Sequence, residues 1–454
     1  MYQRTALVAL IVTGSLGLSA CNDSDSDHPP APAANASVRV VHASSDAPAV
    51  NVRVNGDVAV TAADYRQAAT LAPSPGTYSI AVDGLLPGNQ SATVIGPVSL
   101  TFEANRQYDV IAVGSVADAT LEPLVLDTPI TPVSAGNVRV RVAHLASAAP
   151  EVDVYVSAPD AELTGTSPLG RFAFKGTLGP VEVPAASYRI RVTLADTSSV
   201  VFDSGELALS AGQDLLIGAI NNTGGGLSPV NLLVLDGATA STVYDAASGA
   251  DIRVVHNAAD APAVDVLLDN VAAISNLAFP DVAPAVGYAN VGEGPVNVKV
   301  VPAGAQADAA VITADLDLMR GAQYTVLAVN SLSAIEPLVL ADDNRGLATA
   351  AKLRVVHGST LAGPVDVYAV APGAGIGNST PALSNVPFKA NSGYLQLAEG
   401  SYDLIVTPAG NPSIQAIGPL TVSLQAGSVY TVVARDGAGL TTPLGVTVLD
   451  AFTN

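Results

Sequence analysis

Between Val38 and Val54, apolar and polar residues alternate in two short runs, VRVVH and VNVRV, separated by Asp46-Ala47-Pro48. Alternation with a period of two turns one face of each run toward a core and the other toward solvent, so Arg39 is expected on a solvated face. Proline cannot donate to a strand ladder and restricts the residue before it, so Asp-Ala-Pro marks a turn. The alternation continues through GTYSIAVDG, PVSLTFEA, QYDVIAVG and LEPLVLD, with a weaker strand near 68–71. About seven short strands in roughly a hundred residues match the size of an immunoglobulin-like sandwich.

The phrase then recurs. VRVVHASSDAPAVNVRV (38–54) is followed by VRVAHLASAAPEVDVYV (140–156), IRVVHNAADAPAVDVLL (252–268) and LRVVHGSTLAGPVDVYA (353–369). Each unit closes on a similar strand, ending at Asp127, Asp236, Asp342 and Asp450. Units two and four carry a longer insertion after the second strand, 157–170 and 371–385; units one and three turn at once. His256 follows His42 by 214 residues and His357 follows His144 by 213, which fits duplication of a two-domain block. The expected fold is therefore all-β. Four tandem immunoglobulin-like or Greek-key β-sandwiches, 38–128, 138–237, 251–342 and 352–450, stand in A-B-A-B order. The linker after unit two is the longest and reads as a hinge between blocks. FEANRQY (102–108), LMRGAQY (318–324) and LQAGSVY (424–430) share the spacing of a tyrosine corner, and unit two has Leu215 instead of the tyrosine.

Composition changes the picture at the N-terminus. The 454 residues include a single cysteine, Cys21, so no intrachain disulfide and no cysteine-based metal knuckle can form. Residues 1–20 have a basic start at Arg4, an apolar run from Ala6 to Leu18 and small residues before Cys21, the layout of a secretory signal. Leu18-Ser19-Ala20-Cys21 resembles the bacterial lipobox, which implies cleavage before Cys21 and lipid on its sulfur. Asn22 after the cysteine resembles an outer-membrane address. Residues 21–37, rich in Asp, Ser, Pro and Ala, read as a disordered tether. The net charge of -21 argues against nucleic acid and anionic lipid surfaces as partners.

The repeated RVVH phrase with Asp-Ala-Pro-Ala-Val, a later Gly-x-Tyr (Gly76 to Tyr78, Gly400 to Tyr402) and a closing Val-Leu-Asp resembles the bacterial domain-of-unknown-function family 4397. The likeness spans nearly all of 38–450. It is looser in unit four, where Gly363-Pro364 replaces Ala-Pro, and Gly-x-Tyr is incomplete in units two and three. The resemblance implies secreted or surface-anchored β-domains in tandem and brings no catalytic residues.

Candidate chemistry is sparse. His42, His144, His256 and His357 occupy one position in separate units, too far apart to share a metal. They are read as strand-end imidazoles bonded to turn backbone, and His28 as part of the tether. Asp46 and Asp260 are read as Asx turns before Ala-Pro. Asp153, Asp265 and Asp366, with Asn51 at the same place in unit one, are expected on a solvated strand face that could form a ligand strip. GAGIG (373–377) lacks the Lys-Ser/Thr of a phosphate loop and reads as flexible. No nucleophile elbow, zinc motif or EF-hand occurs. The expectation is a non-enzymatic envelope lipoprotein without cofactor. Its sandwiches bind or display to an envelope polymer, glycan or protein, with the two insertions as contact loops. The alternatives are a structural spacer and, less favoured, a hydrolase with an unrecognised site.

Overall fold

A computed structural model describes residues 34–453, so the signal segment, Cys21, His28 and the tether up to residue 33 lie outside the described residues. Residues 34–37, expected as tether, are already tied down. Ala36 N–H donates to Pro73 O at 3.0 Å, its methyl is buried, and Ser37 opens the first strand.

The chain is all-β and builds four sandwiches. Unit one has eight strands: β1 (Ser37–His42), β2 (Val50–Val54), β3 (Asp57–Ala63), β4 (Ala68–Leu71), β5 (Gly76–Leu86), β6 (Gln90–Phe102), β7 (Arg106–Val113) and β8 (Glu122–Pro129). They form two sheets, β4-β1-β7-β8 and β3-β2-β5-β6. β1 runs parallel to β7; every other pairing in the unit is antiparallel. The strand missing from the seven expected is β3. It is short of large apolar residues and mostly exposed, so alternation does not reveal it. Its signal was Asn55-Gly56, both at positive φ, a two-residue hairpin turn. The other units repeat the plan with matching order.

Three corner tyrosines act as the spacing implies. Tyr108, Tyr324 and Tyr430 hydroxyls accept from the N–H of Glu103, Met319 and Gln425 at 3.0, 3.3 and 3.2 Å. Each closes the turn into the strand that pairs with the unit's first strand. Leu215 fills the same place in unit two by burial alone.

The first strand of each unit has no solvated face. Val38 and Val40 face the sandwich core of unit one. On the opposite face, Val41, Ile111 and Val113 pack against Ala143, Leu145, Leu216, Ile220, Leu233 and Leu235 of unit two. Val255, Leu327, Val329 and Leu340 meet Val356, Val433 and Leu449 in the same way between units three and four. The chain is thus two fused blocks, each a pair of sandwiches joined through their β1-type sheets. Arg39 sits inside this joint at 2% exposure, not on a solvated face.

Charge buried there is paired. Arg39 Nε donates to Asp109 at 2.6 Å, and Arg141 of unit two binds the other oxygen of Asp109 at 2.8 Å and Asp214 at 2.6 Å. In the second block Arg354 binds Asp342 at 2.6 Å, with Arg253 at 3.7 Å and Thr325 Oγ1 also donating to Asp342. Strand register shows an exchange. Arg39 pairs with Asp109 and Arg253 with Thr325, while Gln107 pairs with Thr128 and Gln323 with Asp342. One block therefore carries Asp109 and Thr128 where the other carries Thr325 and Asp342. At this pair of positions each block keeps one carboxylate and one hydroxyl; Asp214 adds a second carboxylate in the first joint and Thr431 a second hydroxyl in the second.

The blocks stack end to end. Chain enters and leaves each unit at its base, and the His-bearing turn lies at the top. After unit two the linker does not form a free hinge. Thr239–Val243 climbs antiparallel to Val230–Asp236 as a fifth strand and delivers the chain to the base of unit three. Gly225 N–H, at the top of unit two, donates to Gly321 O at the base of unit three at 3.0 Å. Gly321 has φ +73°, and a Cβ there would collide with the Tyr244 ring. The linker between units three and four rests on the top of unit one. Arg345 donates to Ala47 O at 2.8 Å and Ser45 O at 3.3 Å, pairs with Asp64, and lies over the Tyr65 ring.

Asp109→Ala should destabilise the first block by about 3–5 kcal/mol, because two buried guanidinium groups lose their shared partner. Adding Thr128→Asp to Asp109→Thr copies the second block's arrangement and should restore most of that loss in chemical denaturation. Arg345→Ala should uncouple the storeys at a cost of about 3 kcal/mol, read as a larger radius of gyration in solution scattering with unchanged far-UV circular dichroism.

Candidate functional site

The four histidines sit at the tops of their first strands and make one set of contacts. Nε2 of His42 lies 3.0 Å from Pro48 O, of His144 3.1 Å from Pro150 O, of His256 2.9 Å from Pro262 O, and of His357 3.0 Å from Gly363 O. A carbonyl only accepts, so each Nε2 carries the proton and donates. Each ring also meets an aromatic edge: Tyr65, Phe174, Phe279 and Phe388, at 6.3–6.5 Å between centroids. All four side chains are buried. The remaining Nδ1 atoms are enclosed and meet no donor. An imidazole held this way spans the turn between the first two strands and offers solvent no lone pair. Among the described residues no group of three His, Cys, Asp or Glu is placed to hold a metal ion.

Burial pushes the His42 and His144 imidazoles below their ordinary range, and the bonds to Pro48 and Pro150 oppose this only in part.

Asp46 reaches across the top of unit one rather than closing a local Asx turn. It accepts from Val116 N–H at 3.0 Å, Ala117 N–H at 2.9 Å and Ser115 Oγ at 2.8 Å. Burial would raise its pKa, but these donors more than offset that and hold it below the usual carboxylate range. Asp260 receives Leu332 N–H at 2.8 Å in the same way. Units two and four reverse the direction. Asn221 and Asp436 stand on the far strand, two residues beyond the partners of His144 and His357. Asn221 accepts from Ala148 N–H at 3.2 Å; Asp436 accepts from Thr360 and Leu361 N–H at 3.0 and 3.2 Å. Sequence reading missed this exchange because the polar residue moves to a different strand.

The residues read as a solvated strip are braces. Asp153 and Asp366 are buried. Asp265 accepts from Asn276 and Gly304 N–H, Asp366 from Asn385 and Gly410 N–H, and Asn51 from Ala62 N–H. Ala62, Asn276 and Asn385 all have positive φ, so the side chain satisfies an amide that the kinked strand leaves free of the ladder. Asp153 instead holds Arg171 at 2.8 Å.

Both insertion loops are anchored to their own sandwiches. In 157–170, Ala161 O and Pro159 O accept from Arg191 and Arg189. In 371–385, Gly373 N–H donates to Asp403 at 2.8 Å, and Ile376 is buried against Tyr368 and Ile405. GAGIG is therefore a pinned loop with exposed shoulders. Where the storeys meet, a polar cleft of about 180 Å³ is lined by Arg66, Tyr244, Gln323, Asp342, Asp343 and Asn344 among others. No motif marks it, since its parts come from three units and two linkers.

Stability should fall on acidification from about pH 6.5, where the unfolded imidazoles begin to take protons that folded His42 and His144 refuse, down to their lowered folded values. Above pH 6.5 the full contribution is present. His42→Gln should cost about 1 kcal/mol at pH 7.5 and flatten the decline in melting temperature between pH 7.5 and 5.5. An unchanged slope would separate His42 from the acid response.

No curated protein matches the chain. Among solved structures, the Bacillus anthracis TIE protein aligns over 86% of this chain and 66% of its own, at 10% identity and a TM-score of 0.16. The chain thus spans just under two thirds of that protein. A product complex of the multi-modular glycogen-degrading pneumococcal virulence factor SpuA aligns over 63% of this chain and 38% of its own, at 9% identity and a TM-score of 0.14. The family model described as domain of unknown function (DUF4397) matches residues 36–155, 250–368 and 375–453. The first two segments run from just before one copy of the His-bearing phrase into the next copy, the third runs from the unit-four insertion to the closing strand, and together they take in well over half the sequence: the chain belongs to the DUF4397 family.

Proposed function

We propose that this protein is a non-enzymatic lipoprotein of the cell envelope, exported and held in the outer membrane through lipid on Cys21. Its stacked sandwiches present a binding surface to an envelope polymer, a glycan or a protein. The observation that carries the reading is the direction of the stack. The chain enters at the base of unit one, and the second block rests on the top of the first through Arg345 and Gly225. An anchor at Cys21 leaves the tops of units three and four farthest from the membrane, where Leu332 and Leu361 are exposed. Loops on rigid sandwiches are frequent carriers of recognition. The repeated histidines and turn carboxylates, the residues most suggestive of catalysis, are spent on holding turns. A net charge of -21 disfavours nucleic acid.

A structural spacer is the second reading, favoured by the pinned linkers that join the storeys.

Protease shaving of intact cells tests the anchor. The wild type is expected to remain with the cells and Cys21→Ala to be lost to the medium; equal retention would sink the lipoprotein reading. Exchanging residues 371–385 for a short turn should abolish binding to isolated envelope material under the binding reading. Under the spacer reading that exchange is silent, and only deletion of units three and four has an effect.

A further inference from the structure

Unit one contains a cavity that units two and three nearly close. About 300 Å³ lies between its two sheets, against about 30 Å³ at the corresponding place in units two and three. Apart from His42, every lining side chain is apolar, including Val40, Val54, Leu71, Val98, Leu100 and Ala112. Close packing normally leaves few voids larger than a water molecule, so a space of this size in unit one, beside two copies of the fold that nearly lack it, is a specific feature.

The register identifies what fills the others. The first residue of the second strand, Val50 in unit one, pairs with Ala63. Its counterparts Val152, Val264 and Val365 pair with Phe172, Leu277 and Val386. Phe172 and Leu277 are buried in their cores, and Val386 packs against its own. Only unit one has a single methyl group there. Further positions agree: Val38, Val54 and Val60 in unit one stand where unit three has Ile252, Leu268 and Ile274. In unit two, Phe202 and Ile217 replace Ile95 and Val110. The lining reaches the surface at the edge formed by β3 and β4, where Ala59 and Ala72 are exposed.

We infer that unit one binds a saturated acyl chain between its sheets, with Ala63 as the residue that keeps the slot open. The lining offers no charged partner and no side-chain hydroxyl, which excludes sugars and ionic ligands from the slot itself. The volume holds roughly ten methylene groups if each takes about the 30 Å³ that water has in the liquid. The space between two sheets, about 10 Å apart between backbones, is flat and suits an unbranched chain better than a ring system. The inference does not depend on the proposed function.

The test uses the full-length chain carrying Cys21→Ala, which removes the acyl group that the proposed function would place on Cys21 as a competitor. Decanoic acid and a lauroyl lysophospholipid are titrated separately by calorimetry, one probe for a free fatty acid and one for a membrane lipid. Saturable binding of either at one per chain, weakened at least tenfold by Ala63→Leu, is the expected result, and the probe that binds names the source. Leu277→Ala, which gives unit three the residue of unit one, should add a second, weaker site. Circular dichroism and gel filtration confirm that each variant is folded. Failure of both probes to bind, or binding that Ala63→Leu leaves unchanged while Leu277→Ala adds nothing, would overturn the inference.

Discussion

A strand buried on both faces has to satisfy two neighbours at once, and the first strand of each unit is such a strand. Its odd and even positions serve different interfaces. In unit one Val38, Val40 and His42 face inward to the sandwich and its turn, while Arg39 and Val41 face the partner sandwich. Taking a guanidinium out of water is tolerable only with a carboxylate in place, so the strand's polar residue fixes which residues its neighbours can carry. The exchange of Asp109 and Thr128 for Thr325 and Asp342 shows that the requirement is for the chemistry at the joint and not for one position. The block of two sandwiches, rather than the single sandwich, is the piece that is complete.

Much of the architecture was legible because alternation, turn residues and internal repetition are written along the chain. The four units, their order and the corner tyrosines follow from spacing alone. What periodicity could not show was the second burial. A residue such as Arg39 reads as solvent-facing whenever the opposite face is apolar, and only the partner sheet reveals otherwise. Asp366 misled in the same way: a short carboxylate beside apolar neighbours reads as solvated, yet it turns along the strand to collect the amides of Asn385 and Gly410. The linker after unit two read as a hinge because it is long. Its length is what is needed to climb one storey. The candidate cavity was silent for a different reason, since a missing side chain at Ala63 has meaning only beside Phe172 and Leu277 in the same register.

The tops of units one and three are not equivalent. On top of unit one, Arg345 from the next storey lies over Tyr65 and takes the carbonyls of the His-bearing turn. On top of unit three, Arg435 from its own block lies over Phe279, and Gly439 N–H donates to Ala259 O. The second block thus occupies from within the positions that the first block leaves for a successor. A heterologous head-to-tail contact that repeated without limit would give a filament; in the second block the corresponding place is taken by residues of the block itself.

The parallel pairing of β1 with β7 bears on force. Residues Ser37 to His42 are matched one for one with Gln107 to Ala112, and the chain enters β1 at the base of the unit. A pull on that entry, with the load held by the storey above, acts along the strand and not across it. Every registered pair must then slip together, instead of parting one after another as a hairpin does when it is peeled open. Tension applied from the N-terminal side would thus be met first by a ladder whose six registered pairs share it.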